Sequence, residues 1–184
     1  MTRVPLVSRE TLSVDHEDLV VSSLQPGKEV NVYRAIANNP AVLAGFREFL
    51  GALWSESGLS DRQREVVILT VAAETRSAYE WHQHVNIATG VGLDSVEITA
   101  LARGIPTSLP VEEQALIAYT RAVVHGCVTD VIYDAVADLF DANAIVGVTV
   151  TAAGYLALSR VIHGLDVQLE AGDTFVGWDV ESQS

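Results

Sequence analysis

The segment from residue 79 to residue 84 carries the densest group of side chains suited to acid/base chemistry. In fewer than two helical turns it holds a phenol, a carboxylate, an indole and two imidazoles: Tyr79, Glu80, Trp81, His82 and His84. On a helix, Glu80 and His84 share a face, so the carboxylate can orient the imidazole ring. Trp81 can wall the same site, while Tyr79 and His82 share the adjacent face. We therefore predict that one helix presents these groups to one cavity.

Two of these side chains also have a purely structural interpretation. Ser77 and Glu80 have the spacing of a capping box, in which the glutamate accepts a hydrogen bond from the backbone amide of Ser77. His82 suits a solvated position on the helix surface, whereas His84, followed by apolar Val85, suits solvent less well. Both interpretations of Glu80 stay open at this level.

A second candidate for proton transfer is Glu65, at the head of a strongly apolar helix. Seven of the eight residues that follow it are apolar. A carboxylate drawn into a region of low dielectric is suited to proton transfer. The alternative is a glutamate of the first helical turn that interacts with the helix dipole beside Arg62 and Arg64.

Other kinds of site find little support. On a helix, His82 and His84 diverge by roughly 200° and do not clamp one metal ion, so no metal is predicted. Cys127 is the only cysteine, which excludes an intramolecular disulfide. With His125 nearby it could act as a nucleophile, but a buried, inert residue is the simpler interpretation. His163 is expected to cap helix carbonyls.

The candidate residues lie on helices that are marked by start and stop signals. Serine, asparagine and aspartate caps, a proline in a first turn and glycines at the ends mark four helices. We predict them from Pro40 to about Gly58, from Ser60 onward, from Ser77 to about Thr89, and from Asp94 to Gly104.

Three more helices follow from the spacing of apolar residues. Leu116, Tyr119 and Val123 indicate the fifth, and the apolar positions between Ile132 and Phe140 indicate the sixth. The seventh is predicted over about 143–164, because a run of this length exceeds a strand although its β-branched residues favour one. The predicted fold class is all-α, a bundle of about seven helices. Residues 1–32 are predicted as an N-terminal arm, 33–165 as the helical domain and 166–184 as a C-terminal tail.

Charge and composition exclude several classes of partner. The 184 residues include 11 Lys and Arg against 24 Asp and Glu, which gives a formal net charge of −13. Such a field repels phosphate backbones and anionic lipids, so neither nucleic acid nor a membrane is expected as a partner. The N-terminal residues lack a secretory apolar region, which predicts a cytoplasmic protein. The seventh helix is too apolar to be solvated on a wide face, which predicts a homo-oligomer.

Three stretches together carry a family resemblance. They are Leu59-Ser-Asp-Arg-Gln-Arg-Glu65-Val-Val-Ile-Leu, Tyr79-Glu80-Trp81-x-x-His84, and Gly90-Val-Gly92-Leu with Ile98 and Leu101. From about Tyr33 to Leu165 the chain resembles the carboxymuconolactone decarboxylase family, which includes the alkyl hydroperoxidase D-like proteins. The resemblance implies an all-helical fold, assembly as trimers or hexamers through the long last helix, and an active site near the Glu and His of this helix pair.

The hydroperoxidase branch of that family carries two cysteines that this chain lacks. Its motif runs Glu, eleven residues, Cys, two residues, Cys, three residues, His, which places Ser77 and Glu80 at the cysteine positions here. A serine and a carboxylate cannot cycle through a disulfide, so peroxide reduction that depends on thiols is disfavoured.

The decarboxylase branch implies a lyase that needs no metal or organic cofactor and acts on a small lactone or carbonyl compound. In that interpretation Glu65 and His84 transfer protons, Tyr79, Glu80 and His82 act on or bind the substrate, and Trp81 shapes the cavity. A carboxylate substrate would also need a local cation, for which the candidates are Arg34, Arg121 and Arg160. A non-catalytic oligomeric binding protein is the remaining alternative.

Overall fold

The computed structural model describes residues 1–22 and 28–178. Among these residues the regular secondary structure is helical, with no strand beyond one isolated bridge between Val21 and Glu29. This confirms the all-α prediction. Two single-turn 3-10 helices at Arg9–Thr11 and Glu17–Val20 precede eight α-helices. The α-helices are Asn31–Ile36 (α1), Pro40–Ser55 (α2), Asp61–Thr75 (α3), Ala78–Gly90 (α4), Ser95–Arg103 (α5), Val111–His125 (α6), Asp130–Ala137 (α7) and Ala142–Leu165 (α8).

The seven predicted helices correspond to α2 through α8. The additional helix, α1, has only six residues, which is too short to show an apolar period. The predicted domain boundaries after residues 32 and 165 stay a prediction, and the part of the predicted tail beyond Trp178 lies outside the described residues.

The chain divides into two compact units, and the first combines both ends of the helical region. It consists of 1–52 and 160–174. Its small core is formed by Val20, Ala37 and Leu43. The side-chain amide of Asn31 donates to the carbonyl oxygens of Gln168 and Leu169, at 3.1 and 3.2 Å, and so joins the two segments.

The second unit consists, among the described residues, of 53–159 and 175–178, and it contains every candidate catalytic residue. Its central element is α3, which packs against α4, α5 and α6. The apolar core between these helices includes Val66, Leu69, Trp81, Leu101 and Ile117. Because α3 is surrounded by these helices, several of its polar side chains are buried, among them Arg64, Glu65 and Thr70.

Helix caps decide where α3 and α5 begin. Ser60 with Gln63, and Asp94 with Glu97, form complete capping boxes as predicted. At the start of α4 the predicted capping box is absent: the Ser77 side chain accepts no hydrogen bond from the backbone amides of the first turn. The structural interpretation of Glu80 as a capping residue is therefore wrong.

Arg62 on α3 ties two neighbouring helices to it. Its Nε lies 2.7 Å from Glu113 Oε1 on α6, and one terminal nitrogen lies 2.7 Å from Glu97 Oε1 on α5. These two carboxylates raise the pKa of Arg62, and Arg62 in turn lowers the pKa of Glu97. The cluster fixes α5 and α6 relative to α3 and its site residues.

Within the described part of the chain, one helix, α8, is long and apolar enough to span a membrane. However, 56% of its most apolar window is buried in the protein, as expected for a core helix. Gly147 allows a close approach here, because a Cβ at this position would lie 1.7 Å from the carbonyl oxygen of Ser57.

Candidate functional site

Helices α3 and α4 bring Glu65 and His84 into direct contact. His84 Nδ1 lies 2.9 Å from Glu65 Oε2, a hydrogen bond between residues 19 positions apart. Glu65 is fully buried and His84 keeps only 7% of its exposure. When Nδ1–H donates to the carboxylate, Nε2 is the ring nitrogen that can exchange a proton with a ligand. This is the arrangement of a general base held by an orienting carboxylate.

Two aromatic side chains hold the His84 ring in place. The ring of Tyr155 on α8 meets it edge-on, with centroids 5.3 Å apart and an interplanar angle of 85°. Trp54 at the end of α2 lies 6.0 Å away, and its indole N–H donates to the Tyr155 hydroxyl at 2.7 Å. The imidazole is therefore confined on several sides as well as at Nδ1.

A buried arginine stands next to the carboxylate. The Arg64 guanidinium lies over the Trp54 ring, 4.0 Å from its centroid. It donates to the Trp54 carbonyl oxygen at 2.9 Å and forms an ion pair with Asp61 at the same distance. Its Nε is 3.8 Å from Glu65 Oε1, and neither atom has a hydrogen-bond partner among the described residues. The positive charge of Arg64 offsets part of the cost of burying Glu65.

Glu80 lies on the His84 face of α4, where it is sealed from solvent. It is 2% exposed, and neither carboxyl oxygen has a hydrogen-bond partner among the described residues. Burial raises the pKa of Glu80 well above its ordinary value, and the nearby Ser77 hydroxyl opposes this in part without reaching hydrogen-bond geometry. The neutral acid is therefore the form that the protein stabilises.

A test follows from the direction of this shift. Because the folded protein binds the Glu80 proton more tightly than the unfolded chain, stability falls as pH rises from about 4.5 through the raised pKa of Glu80. We expect Glu80→Gln to remove this slope, so that its advantage over the wild type grows with pH by up to about 1.4 kcal/mol per pH unit within that window. Urea denaturation at about pH 5 and about pH 8 measures the difference.

The matched control is Glu112→Gln, the same substitution on the exposed first turn of α6. It is expected to change stability by less than about 0.5 kcal/mol at either pH. If the Glu80→Gln variant and the wild type lose stability in parallel as pH rises, Glu80 is not held as a neutral acid.

The other predicted site residues of α4 differ in burial and in surroundings. Tyr79 is buried and His82 is half-buried. Trp81 packs in the apolar core, donates to the Val176 carbonyl oxygen at 3.1 Å and meets Trp178 edge-on. It also lines a separate cleft of about 620 Å³ between α4 and α5, whose lining residues do not include Glu65 or His84.

The three predicted cations have other surroundings. Arg121 binds Glu74 at 2.8 Å, Arg34 contacts Glu29 at 3.3 Å, and Arg160 is exposed in the first unit. None of them joins the Glu65–His84 contacts described above, and Arg64 supplies the positive charge there instead.

The remaining candidates stand outside this site. Cys127 is exposed, which corrects the expectation of a buried cysteine. His125 Nε2 lies 2.9 Å from Glu74 Oε2, and His163 is exposed near the end of α8. Over residues 1–22 and 28–178, no group of three or more His, Cys, Asp and Glu side chains is placed to hold a metal ion.

Trp54 and Tyr155 are absent from the site residues predicted from the sequence. Arg64 enters that prediction only as a residue beside Glu65 in the first helical turn. One signal was available for Tyr155, because it shares a buried face of α8 with the hydroxyls of Thr151 and Ser159, one turn to either side. Hydroxyls on the buried face of an otherwise apolar helix indicate a polar interior.

The model of the carboxymuconolactone decarboxylase family matches residues 40–117, which include Glu65, Glu80 and His84. A search of curated proteins finds no significant match.

Solved structures of similar fold cover nearly the whole chain. A cysteine-to-alanine variant of the debrominase Bmp8 in complex with 2,3,4-tribromopyrrole has a TM-score of 0.77 at 16% identity, covering 93% of this chain and 95% of its own. The alkylhydroperoxidase AhpD core of an uncharacterized peroxidase-related protein from Ralstonia eutropha JMP134 has a TM-score of 0.82 at 17% identity, covering 92% and 93%. A peroxidase-related protein from Silicibacter sp. TM1040 has a TM-score of 0.79 at 17% identity, covering 92% of both chains. The family model thus matches the segment from residue 40 to residue 117, and the solved structures show that the chain has the AhpD-like fold.

Proposed function

We propose that this protein is a cytoplasmic acid/base enzyme of the carboxymuconolactone decarboxylase type, a lyase that acts on a small lactone or carbonyl compound. The observation that carries the proposal is the buried hydrogen bond of 2.9 Å between Glu65 and His84. No metal or organic cofactor takes part in the chemistry that we propose.

The proposed reaction moves one proton through His84 Nε2. In a decarboxylation, the bond between the α-carbon and the carboxylate breaks, carbon dioxide leaves, and the electron pair passes into the adjacent carbonyl group as an enolate. Protonated His84 then gives its Nε2 proton to the carbon, and a proton from water restores the imidazolium. Glu65 holds the ring in place and balances its charge. With a substrate that lacks a carboxylate, neutral His84 removes a proton from the same carbon.

The main competing function is reduction of peroxides, which the similarity to peroxidase-related structures favours. Against it, the motif positions for the two redox cysteines are Ser77 and Glu80, and the single Cys127 is exposed and has no second thiol in the chain. The buried Glu80 argues against a non-catalytic binding protein. Its carboxyl group has no hydrogen-bond partner among the described residues and therefore costs stability. A protein without a catalytic role for Glu80 would gain nothing from that cost.

The proposal is tested by incubating the protein in D₂O with a panel of carboxylated lactones, including carboxymuconolactone, and of small ketones and β-keto acids. Mass spectrometry reads deuterium incorporation next to the carbonyl, and a coupled assay reads carbon dioxide release. We expect one or both signals above the uncatalysed rate. A peroxide assay with a dithiol reductant is expected to show no turnover. Peroxide turnover without deuterium incorporation on any member of the panel would reverse the assignment.

We also propose a homo-oligomer, a trimer or hexamer, in line with the family resemblance. Large apolar side chains are exposed on α7 and α8, including Val131 at 79%, Val146 at 62% and Tyr133 at 45%. We infer that these side chains lie in contact surfaces between copies of the chain, where their apolar area would be buried. Light scattering is expected to give a mass of three or six chains, which Val146→Asp should reduce. A monomer at micromolar concentration would contradict this proposal.

A further inference from the structure

Two polar side chains at the start of α4 lie near each other in the interior and form no hydrogen bond with each other or with any other described residue. Ser77 is fully buried and Glu80 is 2% exposed. Among the described residues, neither the Ser77 hydroxyl oxygen nor the two Glu80 carboxyl oxygens have a hydrogen-bond partner. Each such group costs about 1–3 kcal/mol when left unsatisfied in the interior. The pair calls for a ligand that accepts hydrogen bonds.

The backbone amides at the start of α4 also favour a ligand that accepts hydrogen bonds. α4 has 13 residues, and Ser77, its N-terminal cap, does not bond the first-turn amides through its side chain. The amides at the start of a helix and the helix dipole together favour a negatively charged ligand. Ser77 and Glu80 are three residues apart and therefore lie on the same face of this terminus.

From these unsatisfied groups we propose that the N-terminus of α4 is an oxyanion-binding site. In this site the Ser77 hydroxyl and the Glu80 carboxyl group bind the substrate oxygen that becomes negative during the reaction. This inference rests on the proposed function, because it assigns that oxygen to the enolate formed opposite His84. It narrows the substrate class to compounds whose carbonyl oxygen can reach Ser77 and Glu80 while the reacting carbon faces His84.

The position of His84 fits this assignment. Glu80 and His84 are one turn apart on one face, which places their Cβ atoms about 6 Å from each other. A small enolate can span that distance with its oxygen at Glu80 and its carbon at His84. Neutral Glu80 can donate a hydrogen bond to an anion, whereas ionised Glu80 would repel it, and burial favours the neutral form.

Binding of para-nitrophenolate tests the site without turnover, since a phenolate resembles an enolate. An absorbance titration of the full-length protein gives the Kd. We expect Ser77→Ala and Glu80→Leu each to weaken binding about 10- to 100-fold, the effect of losing one hydrogen bond to a charged group. Ser77→Thr, which keeps the hydroxyl, should bind within a few-fold of the wild type. Circular dichroism checks that each variant is folded.

The matched control is Thr70→Val, because the Thr70 hydroxyl is equally buried but donates to the Val66 carbonyl oxygen in its own helix. It should leave the Kd unchanged. Equal affinities for the wild type and Ser77→Ala, or no saturable binding by the wild type, would overturn the oxyanion site. Because no turnover is measured, such a result would leave deuterium exchange through His84 standing. Conversely, Ser77-dependent binding without exchange on any substrate would overturn the proposed function and keep the site.

Discussion

Replacing His84 by Gln is expected to lower the rate of decarboxylation or deuterium exchange by about 10²- to 10⁴-fold, the usual contribution of a positioned acid or base. The glutamine side chain keeps a polar group of similar size but cannot give a proton to a substrate carbon or take one from it. Because His84 acts in the chemical step, we expect kcat to fall while KM changes little.

Glu65→Gln should be nearly as harmful for a specific reason. Its amide can donate to His84 Nδ1, which holds the ring in the neutral tautomer with its proton on Nε2. The imidazolium that gives its proton to the substrate carbon then has no carboxylate to balance its charge. We expect a loss of at least about 10²-fold in kcat.

Two matched controls exist for these substitutions. His82→Gln changes a histidine on another face of the same helix, and Glu74→Gln breaks a Glu–His contact of the same length, 2.9 Å, with exposed His125. Both variants should keep the activity of the wild type within a few-fold. If His82→Gln is as impaired as His84→Gln, the assignment of roles on α4 is wrong.

The second large effect is on stability, at Arg62. Its partner Glu113 has a side chain that is only 4% exposed, and Arg62 itself is 25% exposed. Arg62→Leu would leave the Glu113 carboxylate buried without its cation, so we expect the free energy of unfolding to fall by about 3 kcal/mol, as measured by urea denaturation.

The change of stability with pH is a second test of the same cluster. Arg62 lowers the pKa of Glu97, so Glu97 contributes stability above its unfolded pKa of about 4.5, which is lost as pH falls through the lowered folded value. This loss on acidification should be smaller in Arg62→Leu. The double variant with Glu113→Leu should recover part of the stability, because the more buried of the two carboxylates is then no longer left without its cation.

Arg9→Leu serves as the control for this experiment. Arg9 pairs with Asp18 at 2.7 Å on the surface, where the side chains are 45% and 80% exposed. Losing an exposed pair should cost less than about 1 kcal/mol. Equal losses for Arg62→Leu and Arg9→Leu would show that the cluster of Arg62, Glu97 and Glu113 does not hold the helices together.

Local signals allowed the helices to be predicted because caps and apolar periods act within one turn or two of the chain. The capping boxes at Ser60 and Asp94 form as their spacing indicates. The identical spacing at Ser77 fails, because α4 packs against α3 and Glu80 is buried between other side chains rather than turned back to the backbone. Tertiary burial there outweighs the local hydrogen bond.

The candidate site could be predicted only in part for a related reason. Glu65 and His84 could be predicted because each is a titratable residue next to apolar residues of its own helix. The structure brings these two side chains together. Trp54 and Tyr155 contact the same ring from α2 and α8, about 100 residues apart in the chain. From the sequence alone, an aromatic residue in an apolar helix fits a hydrophobic core as well as it fits a site. Only the tertiary packing shows which aromatic residues contact His84.

The central claim, that Glu65 and His84 act as one acid/base unit, is tested most directly by a double-mutant cycle. The rate of deuterium exchange on the best substrate is measured for the wild type, Glu65→Gln, His84→Gln and the double variant. If the pair acts as a unit, the double variant should be no slower than His84→Gln alone, within about 3-fold. If the two losses multiply, or if either single variant keeps the wild-type rate, the two residues do not share one proton-transfer step and the account is contradicted.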